Sequence, residues 1–378
     1  MNKKETLEIR KQFTPANCAI TRICGCYVDH EKNKVFEMKD AFLSLPEEEE
    51  HKYFDILKKT LSGTLGKNLL NMEFPLKEEE TDGKQKFLMD LRASKLKDDM
   101  LLEEFYDKVI GSYDYAENYY IVLIHAMYDV PGRSADGLEM FDASDSVYEY
   151  LMCSICPVNL TKAGLSYNSE HNSIEERMRD WVVDMPTKGF LFPLFNDRAS
   201  DIHGVLYYTS KPEDIQPALI DEVLGSELPM TAGDQKTTFQ TIIEDTLGED
   251  CEYKVVRNIH DTLHEMIEEH KEEPEPLELS KIDVKKVFEK SGVSNENMEL
   301  FEKQYEAAAG ENASLLASNI VDAKKFTVET PDIVIKVNPD RADLVETKMI
   351  DGRQCLVIAV DDHIEVNGIN VRTIRLEE

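Results

Sequence analysis

The stretch Asn118–Tyr128, NYYIVLIHAMY, is apolar at odd and even positions alike. Successive side chains of a strand face opposite ways, so such a run belongs to a central strand covered on both faces. It predicts an α+β (mixed α/β) fold: a central mixed sheet with flanking helices. Two more dense apolar runs, Gly189–Phe195 and Ile202–Tyr208, are expected as buried strands. Between them sits a polar knot of Asn196, Asp197, Arg198, Ser200 and Asp201, with His203 just beyond. Two buried strands on either side would pin that knot at one edge of a core.

The remaining elements follow from local signals. Residues 3–13 suggest a short charged helix, Ala19–Val28 a strand and Val35–Leu43 its return. Pro46 and the run Glu47–Glu50 suit a helix start, where negative charge meets the positive end of the helix dipole. Phe54, Leu57 and Leu61 make its apolar stripe. Helices are expected at 85–94 and 97–111. An acidic loop is expected over 129–146, a strand over Val147–Val158, a loop over 159–173 and a helix over 174–180. Pro212–Leu224 predicts a helix kinked or delayed by Pro217. Thr231 opens another with Phe239, Ile242, Ile243 and Leu247 inside. Tyr253–Val256 suggests a short strand, and Ile259, Leu263 and Ile267 a helix to about His270.

Residues 268–276, EEHKEEPEP, have the composition of a linker. They divide the chain into a main body (1–270), a linker with a helix pair (271–310) and a small C-terminal antiparallel β module (311–378). Ser280 with Asp283 predicts a capping box, and Ser294 caps the second helix of the pair. Asp351-Gly352 and Asn367-Gly368 each separate two strand-like runs, the strongest short signal for a type I′ hairpin.

Bulk charge narrows the partners. The formal net charge is −32, from 75 acidic and 43 basic residues. Such a surface repels phosphate backbones and anionic lipid heads, and no basic patch reverses it locally. A protein partner with a basic surface is the expected match. Nucleic acid and membranes are not, and the oligomeric state is left open. Seven cysteines in a long chain do not resemble a secreted disulfide framework. The opening MNKKETLEIRKQF lacks the apolar core of a signal peptide, and a cytoplasmic location is expected.

Candidate chemistry centres on the knot. Asp197, Asp201 and His203 are the types that hold a divalent metal or share a proton, and Arg198 suits an anion. The alternative is a plain turn in which Arg198 pairs with Asp201. His125 lies in the most apolar strand; catalysis there would need Asp129 or the knot close by, and otherwise it is a core histidine with its hydrogen bond met. Cys24 and Cys26 share a strand face while Cys153 and Cys156 do not, which favours buried thiols over a zinc site. His260 and His264 have the i, i+4 spacing of a zinc helix, but Asp261 replaces the glutamate and no third ligand is marked, so exposed helical histidines are expected. The glycine patterns of nucleotide-binding loops are missing, and no cofactor is expected.

Several blocks carry a resemblance: ITRICGCYVD (20–29), LSGTLGKNLLN (61–71), YDVPG (128–132), CPVNL (156–160), GFLFPLFNDRASDIH (189–203) and VNPDRADLVETKMIDGRQCLVI (337–358). Together they resemble the bacterial family called domain of unknown function 4317, along nearly the whole chain. The resemblance implies a cytoplasmic bacterial protein and transfers no activity or catalytic residue. Two readings follow. One is a non-enzymatic protein-binding or regulatory factor. The other is a metal-dependent hydrolase using Asp197, Asp201 and His203, with His125 or Asp129 in support.

Overall fold

The computed structural model describes residues 1–80, 82–133, 139–311, 313–360 and 363–371. The chain divides into two compact units, Met1–Ala232 and Gly233–Glu378.

The first unit runs α1 (Lys3–Arg10), β1 (Ile20–Val28), β2 (Lys34–Asp40), α2 (Glu47–Thr60), β3 (Leu69–Glu73), α3 (Leu76–Glu80), α4 (Lys84–Ala93) and α5 (Asp99–Ser112). It continues with β4 (Tyr119–Arg133), β5 (Glu139–Leu160), β6 (Leu165–Asn168), β7 (Ser173–Glu176), β8 (Trp181–Val183), β9 (Lys188–Phe192), β10 (Leu194–Asn196), β11 (Ala199–Asp201) and β12 (Gly204–Thr209). A last short helix, α6 (Pro217–Leu219), passes into a wider turn over Ile220–Leu224 that Gly225 ends at φ 67°.

The main sheet has the order β2-β1-β4-β5-β9-β12-β3, with β8 paired to the end of β5. The expected α+β class holds. The sheet itself is antiparallel at every pairing, which refines the mixture of directions expected from sequence. An apolar run covered on two faces fits either direction, so the run could not settle it.

Both faces are covered. On one, Ile121 and Leu123 of β4 join Phe190 of β9 and Tyr207 of β12 beneath Leu88, Phe105, Tyr106 and Val223. On the other, Val122 and Ile124 join Met152, Leu191 and Leu206 beneath Ile9, Phe54 and Leu57. The unit is therefore a three-layer sandwich, and the parity of Asn118–Tyr128 is explained by it. The helix expected from Pro46 starts at Glu47 and buries Phe54 and Leu57.

Three local expectations are corrected. Residues 174–180 do not form a helix; β7 pairs with β6 as a hairpin, and Leu165, Tyr167 and Ile174 remain exposed on it. The segment 129–146 is not one loop, because β4 continues to Arg133 and β5 begins at Glu139; Asp136 lies outside the described residues. The run is polar enough to mimic a loop, yet ladder pairing as far as Arg133↔Glu139 satisfies its backbone. Tyr253–Val256 is the first turn of a helix, whose periodic stripe outweighs the β-branched pair Val255-Val256.

The second unit contains α7 (Ala232–Leu247), α8 (Tyr253–Glu269), β13 (Glu278–Leu279), α9 (Lys281–Lys290), α10 (Asn295–Ala309), β14 (Leu315–Leu316) and α11 (Ala317–Ile320). Its core joins Phe239, Ile259, Leu263, Phe288, Phe301 and Tyr305. Ser280 and Asp283 cap each other's backbone at the start of α9, and the Ser294 side chain accepts from the Asn297 amide at the start of α10. The sequence placed a boundary near 270, whereas the structure divides the chain at Ala232. Residues 268–276 lie inside the second unit, because Leu279 just after them is buried in a ladder with Leu315. Charge and proline mark an exposed loop as readily as an interdomain linker.

Three separate ribbons end the chain: β15 (Phe326–Thr330) with β16 (Ile333–Val337), β17 (Val345–Ile350) with β18 (Arg353–Ile358), and β19 (Ile364–Val366) with β20 (Ile369–Val371). Asp351-Gly352 and Asn367-Gly368 turn the last two, all four residues at positive φ as a type I′ turn requires.

Candidate functional site

The two apolar runs around the knot are β9 and β12, adjacent and antiparallel in the sheet. Between them the chain makes another small ribbon, β10 with β11, in which Asn196 faces Ala199. Its two turn residues, Asp197 and Arg198, stand at φ 48° and 58°. Neither is glycine, so the left-handed turn costs on the order of 1 kcal/mol per residue. Contacts from other elements hold it. An Arg198 Nη2–H donates to the Pro131 carbonyl at 2.8 Å and lies 3.3 Å from Glu8 Oε1 on α1. Tyr128 donates its hydroxyl to the same Glu8 oxygen at 3.0 Å. Asn196 donates through Nδ2 to Asp201 Oδ2 at 2.9 Å, and the His203 amide donates to Asp201 Oδ1 at 3.1 Å. The Met1 backbone nitrogen contacts Asn196 Oδ1, and Asn71 donates to the Met1 carbonyl at 2.8 Å.

The knot is therefore pinned, as the flanking strands implied. Its expected internal pair is not formed: Arg198 meets Glu8 rather than Asp201. Asp201 is taken within its own ribbon by Asn196 and the His203 amide, while α1 brings a carboxylate to the guanidinium. Asp197 and His203 are exposed. Among the described residues, no group of three or more His, Cys, Asp or Glu side chains is placed to hold a metal ion, so Asp197, Asp201 and His203 form no such group.

A cleft of about 610 Å³ opens beside this network, between α1 and the end of β4. Lys4, Glu8 and Lys11 line one wall; Tyr128, Asp129 and Pro131 line the other. Asp129 thus faces the cleft.

His125 is wholly buried. Thr21 Oγ1 lies 2.6 Å from its Nδ1 and Glu149 Oε1 lies 2.8 Å from its Nε2. Burial pushes its pKa down, Glu149 works against that, and Lys95 and Arg92 reinforce the fall. With Nε2–H donating to Glu149, the Thr21 hydroxyl donates to Nδ1, and both ring nitrogens of the neutral form are satisfied. Asp129 is four residues along the same strand, about 13 Å away at strand spacing. The pairing seen is the core histidine, with its partners on the two neighbouring strands.

All seven cysteines are free thiols; Cys24, Cys26, Cys153 and Cys156 are buried. Cys24, Cys26 and Cys153 pack in one face of the sandwich and Cys156 in the other, as strand parity predicted. Burial raises each thiol pKa, to about 12 at Cys26.

The sequence misjudged α8. His260 and His264 were expected to be exposed, and neither is. The His264 side chain keeps only 13% of its surface, with Nε2 3.2 Å from Asp340 Oδ1. Its Nδ1 is buried without a hydrogen-bond partner, as is Arg257 Nε on the same helix. His260 packs its ring edge-on to Phe326, centroids 5.9 Å apart. Burial depresses its pKa, and Lys236 adds to the fall. These side chains line another cleft, of about 380 Å³, wholly within the second unit. A signal was present: Arg257, His260, Asp261 and His264 recur at helical spacing on one face, adjoining the buried Ile259 and Leu263.

Fold and sites together define an acidic α+β protein, a three-layer antiparallel body followed along the chain by a helical unit with terminal β ribbons. The chain belongs to the bacterial family described as Domain of unknown function (DUF4317), whose model matches residues 1–369. No curated protein and no solved structure matches it. Among the described residues, no helix is long and apolar enough to cross a membrane.

Proposed function

We propose that this protein acts by binding, as a regulatory or adaptor factor of the bacterial cytoplasm, with a protein partner that presents a basic surface. The observation that carries this reading is the fate of the knot. Of the side chains a hydrolase would need, Asp201 is taken by Asn196 and the His203 amide, Asp197 and His203 stand exposed without forming a metal-holding group with it, and the neighbouring Arg198 is held on Glu8 and Pro131. The net charge of −32 supports a basic partner through steering and complementarity.

The terminal ribbons are the surface offered. Among the described residues each is a separate two-stranded sheet whose outer ladder edges pair with no further strand, and a sheet of two strands gains stability from any strand added to it. Ile333, Met349, Ile350 and Ile369 are exposed on them. A partner strand added to such an edge supplies backbone hydrogen bonds, with the apolar side chains setting specificity.

The test is affinity capture with the full chain and with the full-chain double variant Ile350→Glu, Ile369→Glu. The native chain is expected to retain a partner of basic isoelectric point, released by raised salt and absent from the variant. Recovery of acidic partners alone, or a divalent metal held stoichiometrically through dialysis, would overturn the reading.

A further inference from the structure

The cleft on α8 has the volume of a small-molecule site; one part of its wall, Phe326, Thr327 and Glu329, comes from β15, and a ligand bound there does not depend on the protein-binding role. Its volume of about 380 Å³ is that of a small organic ligand. The floor is apolar: Phe239, Ile320 and Val321 are buried there, and Phe326 packs on His260. Into this floor α8 places two imidazoles.

The unsatisfied groups say what would complete it. Asp340 faces Nε2 of His264 and so fixes the proton of the neutral ring on that nitrogen. Nδ1 is then an acceptor, buried and without a donor. A buried polar atom without a partner is costly, and a ligand hydroxyl removes that cost. At the rim stand Lys236 and Lys325, neither with an ion-pair partner among the described residues despite the acidity of the chain. The acids of the rim are Asp322 and Glu329. Asp322 is turned back to accept from the Lys324 amide at 2.9 Å, and Asp261 deeper in lies 3.5 Å from Arg257. Glu329 remains beside the two lysines, and the lysines are the groups offered to an anion.

We propose that this cleft binds a small aromatic hydroxy-carboxylate, with its ring on the Phe239–Phe326 floor, its hydroxyl donating to His264 Nδ1 and its carboxylate at Lys236 and Lys325. No bond is made or broken; the site is for recognition. The three contacts separate chemically. The floor selects an apolar body, the imidazole a donor, and the lysines a negative charge.

Titration calorimetry on the full chain tests each contact with three probes: 4-hydroxyphenylacetate, phenylacetate and 4-hydroxyphenylacetamide. The hydroxy acid is expected to bind tightest. Losing the hydroxyl or the charge should each weaken binding by about tenfold, the size of one buried hydrogen bond or one desolvated charge contact. Lys236→Gln, at an exposed position, should lower affinity for both acids and leave the amide unchanged. His264→Leu should erase the difference between 4-hydroxyphenylacetate and phenylacetate. Should His264→Leu fail to fold, Lys236→Gln together with the three probes still decides. Equal binding of acid and amide, equal binding of the two acids to the native chain, or no binding of any probe would each overturn the proposal.

Discussion

Two polar clusters in this protein meet opposite fates. At the tip of the β10–β11 ribbon, Asn196, Arg198 and Asp201 all find partners, drawn from α1, β4 and the ribbon itself. On α8, His264 buries a nitrogen that has none, beside open space. The ribbon cluster has the residue types of a reactive site and serves architecture. The α8 cluster has the pattern of a solvated helix face and is half sealed from water. Composition identifies where polar groups are gathered; only partner accounting separates a lock from a receptor. If that distinction is right, truncating a satisfied group must cost stability, and truncating an unsatisfied one must not.

The largest effect is expected at Lys188, the most deeply buried cation of the first unit among the described residues. It is 1% exposed, and its ammonium donates to Thr209 Oγ1 at 3.0 Å, to Asp214 Oδ2 at 3.0 Å and to the Asp214 carbonyl. Burial lowers its pKa, and Asp214 opposes the fall. Asp214→Ala leaves the charge in a low-dielectric interior and should cost about 3 kcal/mol in urea unfolding. A change within a few tenths would mean that this pairing is not needed, and the satisfied half of the comparison would lose its clearest member.

Next is the lock itself. Arg198 and Glu8 keep 14% and 19% of their side-chain surface. Arg198→Met should cost about 2 kcal/mol, since it strands Glu8 and the Pro131 carbonyl and leaves the left-handed turn unsupported. Combined with Glu8→Gln it should show a coupling near 1 kcal/mol in a double-mutant cycle. Additive losses would show that the two side chains do not act as a pair.

Acid should loosen both units. His125 and His260 have folded pKa values pushed below the ordinary 6.5, in each case mainly by burial. The unfolded chain therefore takes up its protons first. The stability these neutral rings provide is complete above pH 6.5 and is lost as pH falls from there toward their folded values. Hydrogen exchange in β4 and in α8 should both accelerate over that window, and His260→Leu should flatten the slope in α8 alone. An α8 that stays protected while β4 opens would separate the two histidines and sharpen the comparison.

Much of this architecture was readable from residue order. The parity of Asn118–Tyr128 forced a covered strand, and the stripe Phe54, Leu57 and Leu61 gave α2 its buried face. Asp351-Gly352 and Asn367-Gly368 specified their turns, because these residues tolerate positive φ. The Asp197-Arg198 turn has the same backbone and no glycine, so its two-residue form was hidden; what permits it is an arginine reaching Glu8, some 190 residues earlier in the chain. The strand over Ser173–Glu176 was missed for a related reason. Its alternation is short and its residues charged, and only pairing with β6 decides it. Long-range partners settle what local propensity leaves open, and His264 is the same lesson at a single atom.

The smallest effect is the most diagnostic. His264→Leu removes the orphaned Nδ1 together with a contact to Asp340, whose side chain is 71% exposed. An ion pair with so exposed a partner contributes little, about 0–1 kcal/mol. Deleting a buried acceptor that has no donor returns an amount of similar size. The unfolding free energy should therefore stay within about 1 kcal/mol of the parent or rise, while Arg198→Met falls clearly below it. A loss at His264 as large as that at Arg198 would mean the imidazole is held by a bond as firm as those of the knot, and the cleft on α8 would then be a structural recess like the others.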